Sequence, residues 1–71
     1  MATITREQAI EYLNSLGDPV DWDNSENNHT SEDAWTLEQI RDEVKRGDAY
    51  DGGGIWESIL QTYNAQDVKG L

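Results

Sequence analysis

Residues 35–47 read WTLEQIRDEVKRG, a helix with both of its ends written into the sequence. Thr36 is placed to cap the first turn, and Gln39, three residues on, to reach back to the backbone of Thr36. This reciprocal capping box satisfies donors that a helix start otherwise leaves unpaired. Trp35 before the cap and Ile40 after it stand where a hydrophobic staple forms. Glu38 lies in the positively polarised first turn, and Lys45 and Arg46 lie near the negative end. Gly47 is the expected stop, because glycine readily takes the left-handed conformation that closes helices. The same start signal recurs at Thr5, where TREQ follows Ile4 in the staple position and Gly17 and Pro19 mark the close.

Apolar spacing then fixes which faces are buried. In the first helix Ala9, Ile10, Leu13 and Leu16 form a stripe with Tyr12 at its margin; in the second, Leu37, Ile40 and Val44 do so. A third helix is predicted from Trp56, Ile59, Leu60 and Tyr63, spaced i, i+3, i+4, i+7, with Ile55 at its edge and Asn64 as its stop. Gly52, Gly53 and Gly54 before it read as a hinge or tight turn. The expectation is an all-α, small three-helix domain over 1–71. Its helices run at about 6–16, 37–46 and 54–63, with a long acidic loop at 17–34 and a tail at 65–71 tied down by Val68 and Leu71. A core this thin stabilises by only a few kcal/mol, and a dimer is one way to enlarge it.

Charge is the dominant global property. Fifteen acids against five bases give a formal net charge of −10, which repels nucleic acid and anionic membranes and attracts a basic protein surface. The chain has no cysteine, so disulfides and thiolate metal sites are excluded. It has no apolar run of membrane-spanning length and no basic-then-apolar start, so a cytoplasmic location is expected.

The loop GDPVDWDNSENNHTSEDA carries six acids and neither Lys nor Arg. A connection of this length in a compact domain is often functional. Val20 and Trp22 are its large apolar groups, and one or both are expected to pin it to the core. From Asp21 to Glu32 it partly resembles an EF-hand calcium loop, with Asp21, Asp23, Ser25, Asn27, His29 and Glu32 at positions one, three, five, seven, nine and twelve. Glu26 replaces the glycine that makes the sharp turn, Asn28 replaces the usual apolar residue, and the following helix starts only after Thr36. Calcium is therefore a third reading, with Asp21, Asp23, Ser25, Asn27 and Glu32 as its candidates, and no metal or cofactor is assigned.

Catalytic signals are weak. His29 is the only histidine, and neighbouring Ser25, Thr30 and Ser31 do not make a triad by adjacency. Carboxylate pairs such as Asp42 and Glu43 are unremarkable in so acidic a chain, and the three glycines lack the Lys and Ser/Thr of a phosphate loop. Asn28-His29-Thr30 fits a glycosylation sequon, without a secretion signal beside it. Trp35 and Trp56 are expected in the core by their spacing. Trp22, between two aspartates, is the tryptophan best placed to be an exposed anchor.

The sequence thus points to a non-enzymatic binding protein, monomeric or a small homo-oligomer, whose partner is a protein with a basic surface. The candidate contact residues are Asp18, Asp21, Trp22, Asp23, Glu26, Glu32 and Asp33 in the loop and Asp42 and Glu43 on the second helix. In character the chain resembles the small, acidic, cysteine-free phage and mobile-element proteins that antagonise host defences, anti-CRISPR and anti-restriction proteins among them. That resemblance implies an inhibitor or decoy that mimics nucleic acid and acts in the host cytoplasm. The alternative is a helical adaptor or regulatory subunit that binds through an apolar face, its acidity serving only solubility.

Overall fold

The computed structural model describes residues 2–17 and 19–69, so the expectations placed on Asp18 and Leu71 lie outside the described residues. The protein is all-α. Helix α1 spans Arg6–Asn14, α2 spans Leu37–Asp51 and α3 spans Ile55–Thr62, with a 3-10 turn at Ser25–Asn27 in the loop between α1 and α2. Among the described residues extended pairing is limited to one isolated parallel bridge, Thr3 to Gln66.

Both capping boxes form. The Thr5 hydroxyl accepts the Gln8 N–H at 3.1 Å and the Gln8 side chain accepts the Thr5 N–H at 3.1 Å. At α2 the Thr36 hydroxyl accepts the Gln39 N–H at 3.1 Å and the Gln39 side chain accepts the Thr36 N–H at 2.9 Å. Each Thr backbone is extended, as an N-cap must be for its side chain to turn inward. The staple residues are buried in pairs, Ile4 with Ala9 and Trp35 with Ile40.

The helix ends differ from expectation. Helix α1 closes at Asn14, where the Ser15 hydroxyl donates back to the Tyr12 carbonyl at 2.6 Å and its N–H bonds the Glu11 and Tyr12 carbonyls. Leu16 therefore falls beyond the helix and is 54% exposed rather than part of the core stripe. Helix α2 does not stop at Gly47. It continues to Asp51 and closes at Gly52, whose φ of 71° places it in the left-handed region. The Gly52 and Gly53 N–H groups donate to the Asp48 carbonyl at 2.7 and 3.1 Å. The extra turn persists because its Asp48 carboxylate caps the next helix, accepting the Ile55 and Trp56 N–H groups at 2.9 and 3.0 Å. A side chain on Gly53 would collide with that carboxylate, its Cβ falling 2.9 Å from Asp48 Oδ1. Helix α3 ends as its sequence predicts, with Asn64 left-handed at φ 48°.

The core has two parts joined through Leu13 and Val44. Ile4, Ala9, Trp56 and Ile59 form one, and Trp22, Trp35 and Ile40 form the other. The tail is fastened at two points. The Ile4 N–H donates to the Gln66 carbonyl and the Gln66 N–H to the Ala2 carbonyl, both at 2.9 Å. Asp67 then takes a bidentate pair from Arg41 at 2.9 and 3.0 Å and the Trp56 indole N–H at 2.7 Å. Arg41 thus reaches across the fold as well as touching Asp42. Val68 packs on the first core cluster, as expected of the tail.

Candidate functional site

The acidic loop is a hydrogen-bonded structure rather than a slack connection. At its centre is Asn28, 5% exposed. Its amide Nδ2 donates to the Asp33 carbonyl at 2.8 Å, the Gln39 side-chain carbonyl at 3.0 Å and the Ser31 hydroxyl at 3.1 Å. Its Oδ1 accepts the Thr30 N–H at 3.0 Å and the Thr30 hydroxyl at 2.6 Å. Gln39 therefore serves twice, closing the α2 capping box and anchoring the loop. The same burial engages the Asn28 amide nitrogen, so the sequon is closed in the folded chain.

Two further ties hold the loop. Trp22 packs edge-on against Trp35, with ring centroids 5.1 Å apart at 81°, and is only 9% exposed. This corrects the expectation that Trp22 is an exposed anchor. Its role is the other one expected of it, pinning the loop, whereas Val20 stays 41% exposed. Arg6 acts as a strap from α1. It donates to the Trp35 carbonyl at 2.8 Å and the Trp22 carbonyl at 3.0 Å, and its guanidinium lies 2.8 Å from Asp23.

These ties display the loop carboxylates outward. Asp21, Asp23, Glu26, Glu32 and Asp33 are all exposed. The five calcium candidates are not drawn into one oxygen cage. The Asp21 carboxylate accepts the Asp23 N–H at 3.1 Å, and the Asn27 amide donates to the Asp21 carbonyl at 3.1 Å rather than offering an oxygen to a centre. Among the described residues no three His, Asp or Glu side chains gather as a metal site would require.

Asp42 and Glu43, on α2, stand apart from the loop acids, on the wall of an open cleft of about 130 Å³. The cleft lies between the loop and α2 and is lined by His29, Thr30, Gln39, Asp42, Glu43 and Arg46. Glu43 is held between His29 Nε2 and the Arg46 guanidinium, and the His29 ring lies edge-on to Trp35 at 5.3 Å. Burial pushes the Glu43 carboxyl up, but the hydrogen bonds from His29 and Arg46 outweigh it and hold the group below its ordinary range. Asp48 behaves alike: burial raises it and the backbone N–H groups of Trp56, Ile55 and Gly54 more than offset this. Asp67 is lowered chiefly by Arg41, against burial.

Sequence reasoning missed the Asn28 hub and the His29–Glu43 contact. The local signal for the first was present in Asn28, Thr30 and Ser31, residue types that bond nearby backbone in turns. The second joins residues on separate elements, and nothing in the spacing announces it. Among the described residues the polar partner of His29 is a carboxylate that is itself paired with Arg46. No protein-family model, no curated protein and no solved structure matches the chain.

Proposed function

We propose that this chain is a non-enzymatic acidic binding protein that occupies a basic, nucleic-acid-binding surface of another protein. The supporting observation is that Asp21, Glu26, Glu32 and Asp33 stand exposed on a loop held by Asn28, Trp22 and Arg6. Carboxylates fixed on a scaffold steer a basic partner and pair with its Arg and Lys side chains without first having to be ordered. The arginines are paired with the protein's own acids, Arg6 with Asp23, Arg41 with Asp67 and Arg46 with Glu43. Little positive charge remains to oppose such a partner.

The expected behaviour is capture of a nucleic-acid-binding protein at low salt, release at high salt, and displacement by DNA or RNA. A Glu26→Lys, Glu32→Lys, Asp33→Lys chain that keeps its helical spectrum should lose the interaction; unchanged binding by that variant refutes the reading. Within this reading the setting is an anti-defence one, a phage or mobile-element inhibitor of the anti-CRISPR kind acting in host cytoplasm. Its test is phage plaquing on CRISPR- or restriction-protected cells that express the chain.

The adaptor alternative has a different anchor from the one expected. Tyr50, not Trp22, is the exposed aromatic, 91% accessible near the end of α2. Salt-tolerant binding that Tyr50→Ala abolishes would mark that case.

A further inference from the structure

Among the described residues Val44 is the last α2 side chain that packs on either core cluster. The helix nevertheless runs on to Asp51, and from Lys45 onward every residue but Asp48 is exposed. Tyr50 in this stretch is 91% exposed. Gly47 lies within it, with open space where a Cβ would stand, and glycine disfavours a helix interior. In a small domain a helix is held chiefly by the apolar face it packs. The end of α2 has no such face, so something else keeps it wound.

That something is Asp48. Helix α3 starts from Gly54, left-handed at φ 111° and with no side chain to cap it. The Asp48 carboxylate supplies the missing cap from the neighbouring helix, one oxygen accepting the Ile55 N–H at 2.9 Å and the other the Trp56 N–H at 3.0 Å. The Asp48 backbone carbonyl meanwhile accepts the Gly52 and Gly53 N–H groups and so closes α2. The backbones of Gly52, Gly53, Ile55 and Trp56 thus converge on one residue, which holds the end of one helix and the start of the next.

We propose that α2 is a helix with two ends, a long state closing at Gly52 and a short state closing at Gly47, with Asp48 as the catch between them. Gly47 can stop a helix by turning left-handed, and unwinding from that point surrenders no packed apolar side chain. It does surrender the grip of Asp48 on α3, so the segment from Asp48 to the Trp56 N–H opens as one unit rather than fraying residue by residue. The opening ends there, because the Trp56 side chain is 1% exposed and its indole N–H is donated to Asp67. This device is independent of what the acidic loop binds. Its consequence falls on Tyr50, which stands on a helix in the long state and on unwound chain in the short one. A partner that engages Tyr50 in one form draws the population toward that form.

Hydrogen exchange of the full native chain, read residue by residue by NMR, tests the proposal. The Gly52, Gly53, Ile55 and Trp56 amides should share one degree of protection, at least tenfold below that of Val44 and Leu60. Gly47→Ala should raise the protection of all four together, by about fivefold relative to Val44, the helix preference of alanine over glycine. Asp48→Ala should lower it at least tenfold, and the Gly47→Ala result stands whether or not that variant folds. Simple fraying of α2 would not reach the first turn of α3. Ile55 and Trp56 amides whose protection differs from that of Gly52 and Gly53, or equals that of Val44, or does not respond to Gly47→Ala, overturn the proposal.

Discussion

Replacing Asn28 by aspartate is the sharpest test of whether the acidic loop is built as described. The change is nearly isosteric, so it alters hydrogen bonding without opening a cavity. It removes the Nδ2 donors and sets a carboxylate oxygen against the Asp33 carbonyl at 2.8 Å and the Gln39 carbonyl oxygen at 3.0 Å. Gln39 cannot turn its amide to compensate, because the same oxygen accepts the Thr36 N–H at 2.9 Å. Two lost hydrogen bonds account for about 2 kcal/mol, and leaving buried acceptors unpaired adds about 1–2 kcal/mol. A total of about 3–4 kcal/mol is a large share of the roughly 4–10 kcal/mol expected of a chain this long. It corresponds to a fall in Tm on the order of 20 °C.

The effect should also depend on pH. Facing acceptors at a site only 5% exposed, the introduced carboxyl has its pKa raised in the folded state, so it destabilises most at neutral pH. The gap to wild type should narrow as pH falls toward the unfolded value of about 3.9, where the acid becomes a donor again. Urea titrations followed by tryptophan fluorescence measure this directly, because Trp22 and Trp35 lie at the loop's attachment. A gap under about 1 kcal/mol at neutral pH, or one that does not change with pH, would refute the Asn28 account.

Asp67→Asn should destabilise by about 1.5 kcal/mol, the lower end for hydrogen bonds to charged groups, because the Arg41 pair is partly exposed. Hydrogen exchange should show faster opening at Ile4 and Gln66; unchanged exchange would mean the tail is held elsewhere. The carboxyls of Asp67, Asp48 and Glu43 are depressed in the folded chain, so the stability they contribute is present at neutral pH and lost as acidity passes their ordinary values of 3.8 and 4.5. Thermal melts across that range should show the gap between wild type and Asp67→Asn closing as pH falls; a constant gap would remove Asp67 as a contributor. Gly47→Ala should raise Tm, since an exposed mid-helix glycine costs about 1 kcal/mol relative to alanine. A fall in Tm would show that Gly47 is needed within the monomer.

Local chemistry was legible in the sequence and distant chemistry was not. The starts of α1 and α2 are encoded within four residues, so TREQ and TLEQ suffice to place them. The apolar faces of α2 and α3 follow from spacing alone, as does Asn64 as a stop. The C-terminal end of α2 was not legible, because Gly47 and Gly52 are equally plausible stops by type. What selects Gly52 is Asp48 capping α3, a contact that exists only once the two helices are folded together. Trp22 likewise reads as an exposed anchor between two aspartates, until Trp35 and the Arg6 strap bury it.

The candidate surface divides in the same way. The exposure of Asp21, Glu26, Glu32 and Asp33 follows from a polar stretch too rich in acids to be buried, and the sequence determines that much. Tertiary structure decided that this stretch is fastened through Asn28, that His29 meets Glu43, and that Arg41 closes on Asp67. Each of these pairs joins side chains on different elements. Their energy depends on distances of a few ångströms that no spacing along the chain specifies.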